Sequence, residues 1–352
     1  ALETAARRGS FEERKRRSKM KFHGMLLRVG LVLGLAFSAV PARAADKVTF
    51  AADWILYGKH APFVLAIEKG FYKKHNLDVD FSRGFGSADT IKRVGAKTTD
   101  FGFADTANLV VARARGTKVK GIAIIAARSL YTIYTLKKNN IRTPKDLKGK
   151  LVGGPVRDVA RTIFPAFARI NGLDPDKDVR WLDMTAAARL SSLLTGRVDA
   201  FSGFGTATPT FVAGAKKAGR TIVEIKYADW GLDTYAHSLI THNDTIEAKP
   251  DLVKRFVRAT LEAWASSMKN PEQAIQAFHR RSPATSLTLA RGHLKIAISV
   301  LVDGYVRKHG LGAYDPDKIK RTIDVISRFM KLPSVVRPTD LYTNAFLPGI
   351  TP

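Results

Sequence analysis

From residue 47 to about residue 227 the sequence alternates short apolar runs with amphipathic stretches. That alternation restricts the chain more than any other feature. Residues 47–52 read as a strand and 62–75 as a helix. Residues 77–81 (Leu77-Asp78-Val79-Asp80-Phe81) alternate at period two, as a half-buried strand does. The glycine-rich loop Gly84-Phe85-Gly86-Ser87-Ala88-Asp89 opens a helix over 90–96. A strand follows at 100–105, a helix at 106–115 and a largely buried strand at 119–127. Single helices between strands, joined by short loops, predict a parallel sheet with helices on both faces.

A second unit of the same kind begins near residue 151. Its strands fall at 151–154, 179–182, within 196–204, and at 221–227. Helices are expected at 155–170, with Pro155 at the start, at 185–195 and at 206–219. The halves echo each other: Lys97-Thr98-Thr99-Asp100-Phe101 and Gly196-Arg197-Val198-Asp199-Ala200 each give a turn, an Asp and a buried strand. Strand-like segments near 132–137 and 235–241 carry the chain from one unit to the other and back. The expected architecture is therefore α/β, with two lobes and a double crossover acting as a hinge. Residues 45–134 with 237–352 form the first lobe and 135–236 the second. From Pro250 onward the pattern is helical (250–269, 271–280, 286–309, 315–330), and a Pro-rich tail beyond Leu332 wraps the surface.

The first 44 residues belong to neither lobe. A basic stretch (Arg14-Lys15-Arg16-Arg17, Lys19, Lys21) precedes an apolar run from Met25 to Val40, which ends at Pro41-Ala42-Arg43-Ala44. This order is that of a secretory signal peptide cleaved near Ala44. The run is short for a membrane span of about 20 residues and contains Arg28. The chain has no Cys, hence no lipid attachment site near that point, and export as a free protein is expected. Residues 1–44 hold ten Lys/Arg and three Asp/Glu, so removing them lowers the formal charge from +27 to +20. The remaining basic residues are scattered among amphipathic helices, without a run or a nucleic-acid motif, so a generally basic surface is expected and no nucleic-acid partner.

The stretch Asp53-Trp54-Ile55-Leu56-Tyr57-Gly58-Lys59-His60 follows the first strand, where α/β sheets place ligands. Trp54, Tyr57 and His60 are candidates for one wall of a cleft; their structural alternatives are two core aromatics and a cap. Asp105-Thr106 ends another strand. Asp105 could accept from an amino group of a ligand, or simply cap the following helix. Candidates from the second unit are Gly154, Arg157 and Asp158, then Phe204 and Gly205. Arg157 could clamp an anion or face solvent. Trp230 and Tyr235, beside the second crossover, could stack on a ligand from the hinge side or pack in the core.

Catalytic motifs are scarce. Gly153-Gly154-Pro155 and Gly84-x-Gly86 lack the spacing of phosphate loops. The histidines offer no HExxH or close pair for a metal, and there is no GxSxG elbow. No metal and no cofactor are expected.

Asp53-Trp54-x5-His60, followed by Ala66-x3-Gly70-Phe71-Tyr72, resembles the opening of periplasmic binding proteins related to thiamine-pyrimidine synthesis. Their relatives bind sulfonates, taurine and nitrate for ABC importers. Asp100–Asp105, Lys145-Asp146-Leu147-Lys148-Gly149-Lys150 and Leu194-x-Gly196-x-Val198-Asp199-Ala200 also resemble segments of this family, and the likeness runs from about residue 47 to 300. The resemblance implies a type II periplasmic binding fold, a binding loop at Gly86-Ser87-Ala88, a monomer, a small-molecule ligand and ABC permease subunits as partners. It also includes a fungal pyrimidine synthase that uses a lysine, a sacrificed histidine and a Cys-rich loop. On that motif this chain has Ala104 in place of the lysine and Asn108 in place of the histidine. Alanine forms no Schiff base, so a binder and not an enzyme is expected. Its ligand would be a heterocycle such as a thiamine pyrimidine precursor, with a sulfonate, taurine, nitrate or another small anion as the alternative, and an exported enzyme of the pyrimidine-synthase-like fold as the less favoured one.

Overall fold

The computed structural model describes residues 44–352. The leader expected ahead of Ala44 lies outside the described residues. Ten strands form two five-stranded sheets. They are β1 (Asp46–Ala51), β2 (Leu77–Ser82), β3 (Phe101–Asp105), β4 (Val119–Ile124), β5 (Tyr131–Leu136), β6 (Leu151–Gly154), β7 (Arg180–Asp183), β8 (Ala200–Phe204), β9 (Ile222–Lys226) and β10 (His237–His242). The first sheet has the order β2-β1-β3-β10-β4, the second β7-β6-β8-β5-β9.

Neither sheet is wholly parallel, which corrects the expectation from alternation. β1 runs parallel to β2 and β3, but β10 lies antiparallel between β3 and β4. In the second sheet β6 is parallel to β7 and β8, while β5 is antiparallel to β8 and β9. The reversed strand in each sheet is the first one laid down after a crossing. It arrives from the other lobe rather than over a helix, so nothing forces it to run with its neighbours. β5 lies wholly in the second sheet, so the first crossing falls between Ile124 and Tyr131, ahead of residues 132–137. The second falls between Lys226 and His237.

The echo between the halves has a structural basis. The Asp100 carboxylate accepts from the amide and hydroxyl of Thr49 at 2.8 and 2.7 Å, tying the entry of β3 to β1. Asp199 does the same for β8 and β6, accepting from the Leu151 amide at 2.8 Å.

Several helix boundaries differ from the periodic pattern, three of them most. The 62–75 helix is two helices, Ala61–Glu68 and Phe71–Lys74, parted at Lys69-Gly70. The helix expected from Pro155 begins at Val159, because Asp158 accepts from the Arg161 amide at 3.2 Å and caps it there. Pro155, Val156 and Arg157 are thereby left as a loop reaching toward the other lobe. The 286–309 helix divides into Leu287–Ser299 and Gly304–His309, restarted by Asp303, which accepts from the Val306 amide at 2.9 Å.

The first lobe's core is aromatic. Phe50 meets Phe63, Phe81 and Phe256 with centroids 4.9–5.2 Å apart, and Phe101 stacks on Phe256 at 3.9 Å. The helix Pro250–Lys269 supplies Phe256 and Trp264, so the helical region belongs to this lobe. The tail covers the β4 edge. Tyr342 bridges to Gly121, and the Thr343 amide donates to the Gly121 carbonyl at 2.9 Å, which occupies an edge that would otherwise offer unpaired backbone groups. No helix among the described residues is long and apolar enough to cross a membrane.

Candidate functional site

The carboxyl ends of β1 and β8, with the loops after them, face each other across a cavity of about 440 Å³. That volume lies within the range of roughly 300–1,000 Å³ typical of small-molecule sites. The first lobe contributes Asp53, Trp54, Tyr57 and Lys59 from the loop after β1, Gly86 and Ser87 from the loop after β2, and Leu289 and His293 from the helix Leu287–Ser299. The second contributes Arg157, Asp158, Arg189, Phe204, Thr210 and Phe211.

The loop after β1 is shaped by a single helical turn, Gly58–His60. It lies so close to the helix Leu287–Ser299 that a Cβ on Gly58 would stand 2.3 Å from the Ala290 carbonyl oxygen. Only glycine permits that approach, and it turns the next two side chains inward onto Asp53. Asp53 is buried and accepts three hydrogen bonds. His60 Nε2 donates to Oδ1 at 2.8 Å, while Lys59 Nζ and His237 Nε2 donate to Oδ2 at 2.6 and 2.8 Å. The Tyr57 amide donates to His60 Nδ1 at 3.2 Å, which fixes the proton of this neutral ring on Nε2, facing the carboxylate.

The charges follow from these contacts. Burial alone would raise the Asp53 carboxyl. The Lys59 charge and the hydrogen bonds from His237 and His60 together hold it well below the usual carboxylate range. Burial would also lower Lys59, but the Asp53 charge, together with the hydrogen bond to Asp53 and the neighbouring Tyr57, outweighs it, so the amine stays an ammonium. Burial, reinforced by the Lys59 charge, brings His237 down to about 4 against the pull of Asp53. The Lys59 ammonium sits over the rings of Phe204, Tyr57 and Phe103 at 5.1, 5.3 and 5.6 Å from their centroids. The second lobe has a matching pair: Arg189 Nη1 lies 3.3 Å from Asp158 Oδ2, with the guanidinium 5.1 Å from the Phe211 ring centre.

Several contacts span the two lobes. The hydroxyls of Tyr57 and Thr206 are 2.6 Å apart, and Thr210 meets His293 Nε2 at 2.8 Å. Arg157 reaches Asp89 at 3.3 Å. Gly86, at φ 119°, lies so close to Arg157 that a Cβ would stand 2.6 Å from its carbonyl oxygen. The lobes are closed over the cavity.

Of the residues expected from the sequence, Trp54, Tyr57, Gly86, Ser87, Arg157, Asp158 and Phe204 line this cavity. The others lie elsewhere, for definite reasons. His60 is behind the wall, fully buried, with both ring nitrogens engaged. Asp105 is fully buried, outside the cavity lining, and capping: it accepts from the Ala107 and Asn108 amides and from the Tyr131 hydroxyl at 2.6 Å. Burial raises its carboxyl to about 7 against those bonds. Thr106 donates to the Ala236 carbonyl and meets the Ser238 hydroxyl. Gly154 packs against Ser202, where a Cβ would stand 2.3 Å from the hydroxyl. Gly205 donates its amide to the Leu130 carbonyl and lines a separate crevice behind the hinge. Tyr235 is buried against Tyr314, its hydroxyl accepting from the Asp315 amide. Trp230 ends the turn after β9, 37% exposed and outside the cavity lining.

Sequence reading assigned no role to Lys59, Arg189, Phe211 or His293. Lys59 carried a usable signal, an amine six residues after an Asp in an aromatic turn. Arg189 carried none, since an Arg within a helical pattern is ordinarily solvated. No group of three or more His, Asp or Glu among the described residues is disposed to hold a metal ion.

Known proteins resemble this chain in sequence or in fold. The riboflavin-binding protein RibY of Chloroflexus aurantiacus is 25% identical over 325 residues, covering 89% of this chain and 90% of its own. The formylaminopyrimidine-binding protein of Halalkalibacterium halodurans is 22% identical over 325 residues, 90% of this chain and 97% of its own. The 4-amino-5-hydroxymethyl-2-methylpyrimidine phosphate synthase of Schizosaccharomyces pombe is 24% identical over 244 residues, 67% of this chain and 69% of its own. Among solved structures, the alkanesulfonate-binding protein SsuA of Xanthomonas axonopodis pv. citri superposes with a TM-score of 0.64 at 15% identity, over 86% of this chain and 99% of that one. The fold is the two-lobed type II periplasmic binding fold. Residues 58–274, more than half of the chain, match the family described as NMT1/THI5 like, and the chain belongs to that family.

Proposed function

We propose that this protein is the substrate-binding component of an ABC importer. It works in the periplasm as a monomer, captures a small heterocyclic solute such as a thiamine pyrimidine precursor by lobe closure, and presents it to the permease. The observation that carries this reading is the pairing of charges around an aromatic cavity. Trp54, Tyr57, Phe204 and Phe211 offer ring faces, while Lys59, Arg189 and Arg157 each already have a carboxylate, in Asp53, Asp158 and Asp89. An uncharged flat ligand gains stacking without disturbing those pairs. A sulfonate or nitrate would bring a charge that no unpaired cation there balances. The names of the riboflavin- and formylaminopyrimidine-binding relatives support the same ligand chemistry.

The cavity does not favour catalysis. Ala104 offers no amine, and the one lysine on the wall is held as an ammonium by Asp53, a poor nucleophile.

Binding to the folded state raises the melting temperature by mass action. In a thermal-shift panel of 4-amino-5-hydroxymethyl-2-methylpyrimidine, its formylamino relative, riboflavin, taurine, an alkanesulfonate and nitrate, only the heterocycles should stabilise the protein. Stabilisation by the sulfonates or nitrate alone would refute the heterocycle assignment.

A further inference from the structure

Both buried cations on the cavity wall have more donors than protein partners. Lys59 is 3% exposed. Of the three N–H groups on its ammonium, one donates to Asp53 at 2.6 Å, and the side chain lines the cavity. Arg189 is 6% exposed. Its Nε donates to the Ala186 carbonyl, and its Nη1 to Asp158 and the Ser202 carbonyl. Nη2 has no hydrogen-bond partner among the described residues, although the side chain lines the cavity. A fixed guanidinium with two unmatched N–H groups in a closed cleft is a group waiting for an acceptor. One such donor stands on each lobe.

We propose that Lys59 and Arg189 determine the specificity of this cavity. Each donates a hydrogen bond from its own lobe to the ligand, which is therefore an uncharged flat heterocycle with at least two separate hydrogen-bond acceptors, ring nitrogens or carbonyl oxygens, on its rim. The inference rests on the heterocycle reading above and narrows it. Asp53 and Asp158 neutralise the two donors from behind, so the wall offers hydrogen bonds without a net charge. A ligand that satisfies both donors must touch both lobes, which couples recognition to closure. Asp53 already accepts three hydrogen bonds, and its part in the proposal is to hold Lys59 in place.

The test is calorimetric titration of wild type, Lys59→Met and Arg189→Met, each as the full chain, with 4-amino-5-hydroxymethyl-2-methylpyrimidine, riboflavin, taurine and nitrate. Wild type is also titrated with the benzene analogue of the pyrimidine, in which both ring nitrogens are CH. The bound heterocycle should lose about ten- to a hundredfold in affinity with each substitution, and the benzene analogue should lose a comparable factor. The analogue arm needs no variant to fold. A heterocycle that binds wild type while neither substitution nor the analogue weakens it overturns the assignment of the two donors but leaves the heterocycle reading intact. Failure of both heterocycles to bind wild type overturns both. Binding of taurine or nitrate instead, lost in the two variants, would show that these cations serve an anion, which also overturns the proposal.

Discussion

At the scale of the residue, Asp53 organises the cavity wall. Its carboxylate draws a lysine and two histidines from separate parts of the chain into one buried cluster. Keeping both histidines neutral has a consequence for pH. His237 titrates near 4 in the folded protein but near 6.5 when unfolded, so the unfolded chain binds the extra proton first. Its contribution is complete above about pH 6.5 and is lost as pH falls toward 4. Asp105, raised to about 7, acts in the opposite sense, stabilising at low pH and losing that contribution as pH rises. Comparing variants cancels the Asp105 term. His237→Gln, which keeps a neutral donor for Asp53, should lose less melting temperature than wild type between pH 7 and 4.5. Equal slopes in the two proteins would exclude His237 as a source of acid lability. The sequence showed the aromatic turn but not this cluster, because His237 lies 184 residues from Asp53 and no local pattern announces the contact. Asp105 misled for the opposite reason: a strand-end Asp and a helix N-cap read alike until the two amide bonds are seen.

At the scale of the element, the most informative part of the sequence was the repeated turn-Asp-strand pattern. Both copies became the central strands that flank the reversed one, and each aspartate ties its own strand to its parallel neighbour. Replacing Asp199 by Ala removes the acceptor of the Leu151 amide and should cost about 1 kcal/mol in a urea titration. No change would show that water takes over the bond. The alternation that revealed the strands could not reveal their direction. Apolar period and length are the same for a parallel strand and for one inserted antiparallel after a crossover, so β5 and β10 were visible as strands but not as reversals. Helix starts were legible only where the cap was weighed. Pro155 suggested the obvious beginning, yet Asp158 sets it, and the three residues so released carry Arg157 to the cleft.

At the scale of the whole molecule, the lobes meet at the cavity mouth through two side-chain hydrogen bonds, one partly exposed ion pair and the approach of Gly86 to Arg157, and elsewhere through Thr162 on Asn108, Arg169 on the Phe329 carbonyl and Tyr131 on Asp105. A ligand that touches both lobes adds to the first set and shifts the balance toward the closed form. Gly86→Ala places a methyl against the Arg157 carbonyl and adds strain at φ 119°, about 1–3 kcal/mol. The open form tolerates the first of these and the closed form does not. The variant should therefore bind ligand about tenfold or more weakly, with a larger radius of gyration in X-ray scattering at saturating ligand. A radius equal to that of liganded wild type would remove Gly86 from the closure interface.

The reversed strand of the first sheet also sets a timetable. β10 lies between β3 and β4, yet it is separated from them in sequence by the entire second lobe. A chain made or threaded from its amino end cannot complete its first sheet until residue 242 has emerged. Until then β3 and β4 have no common neighbour, and their facing edges stay open to wrong partners. The second sheet waits for no such latecomer, since all five of its strands lie between residues 131 and 226. The lobe that begins the chain is thus the one that finishes folding last.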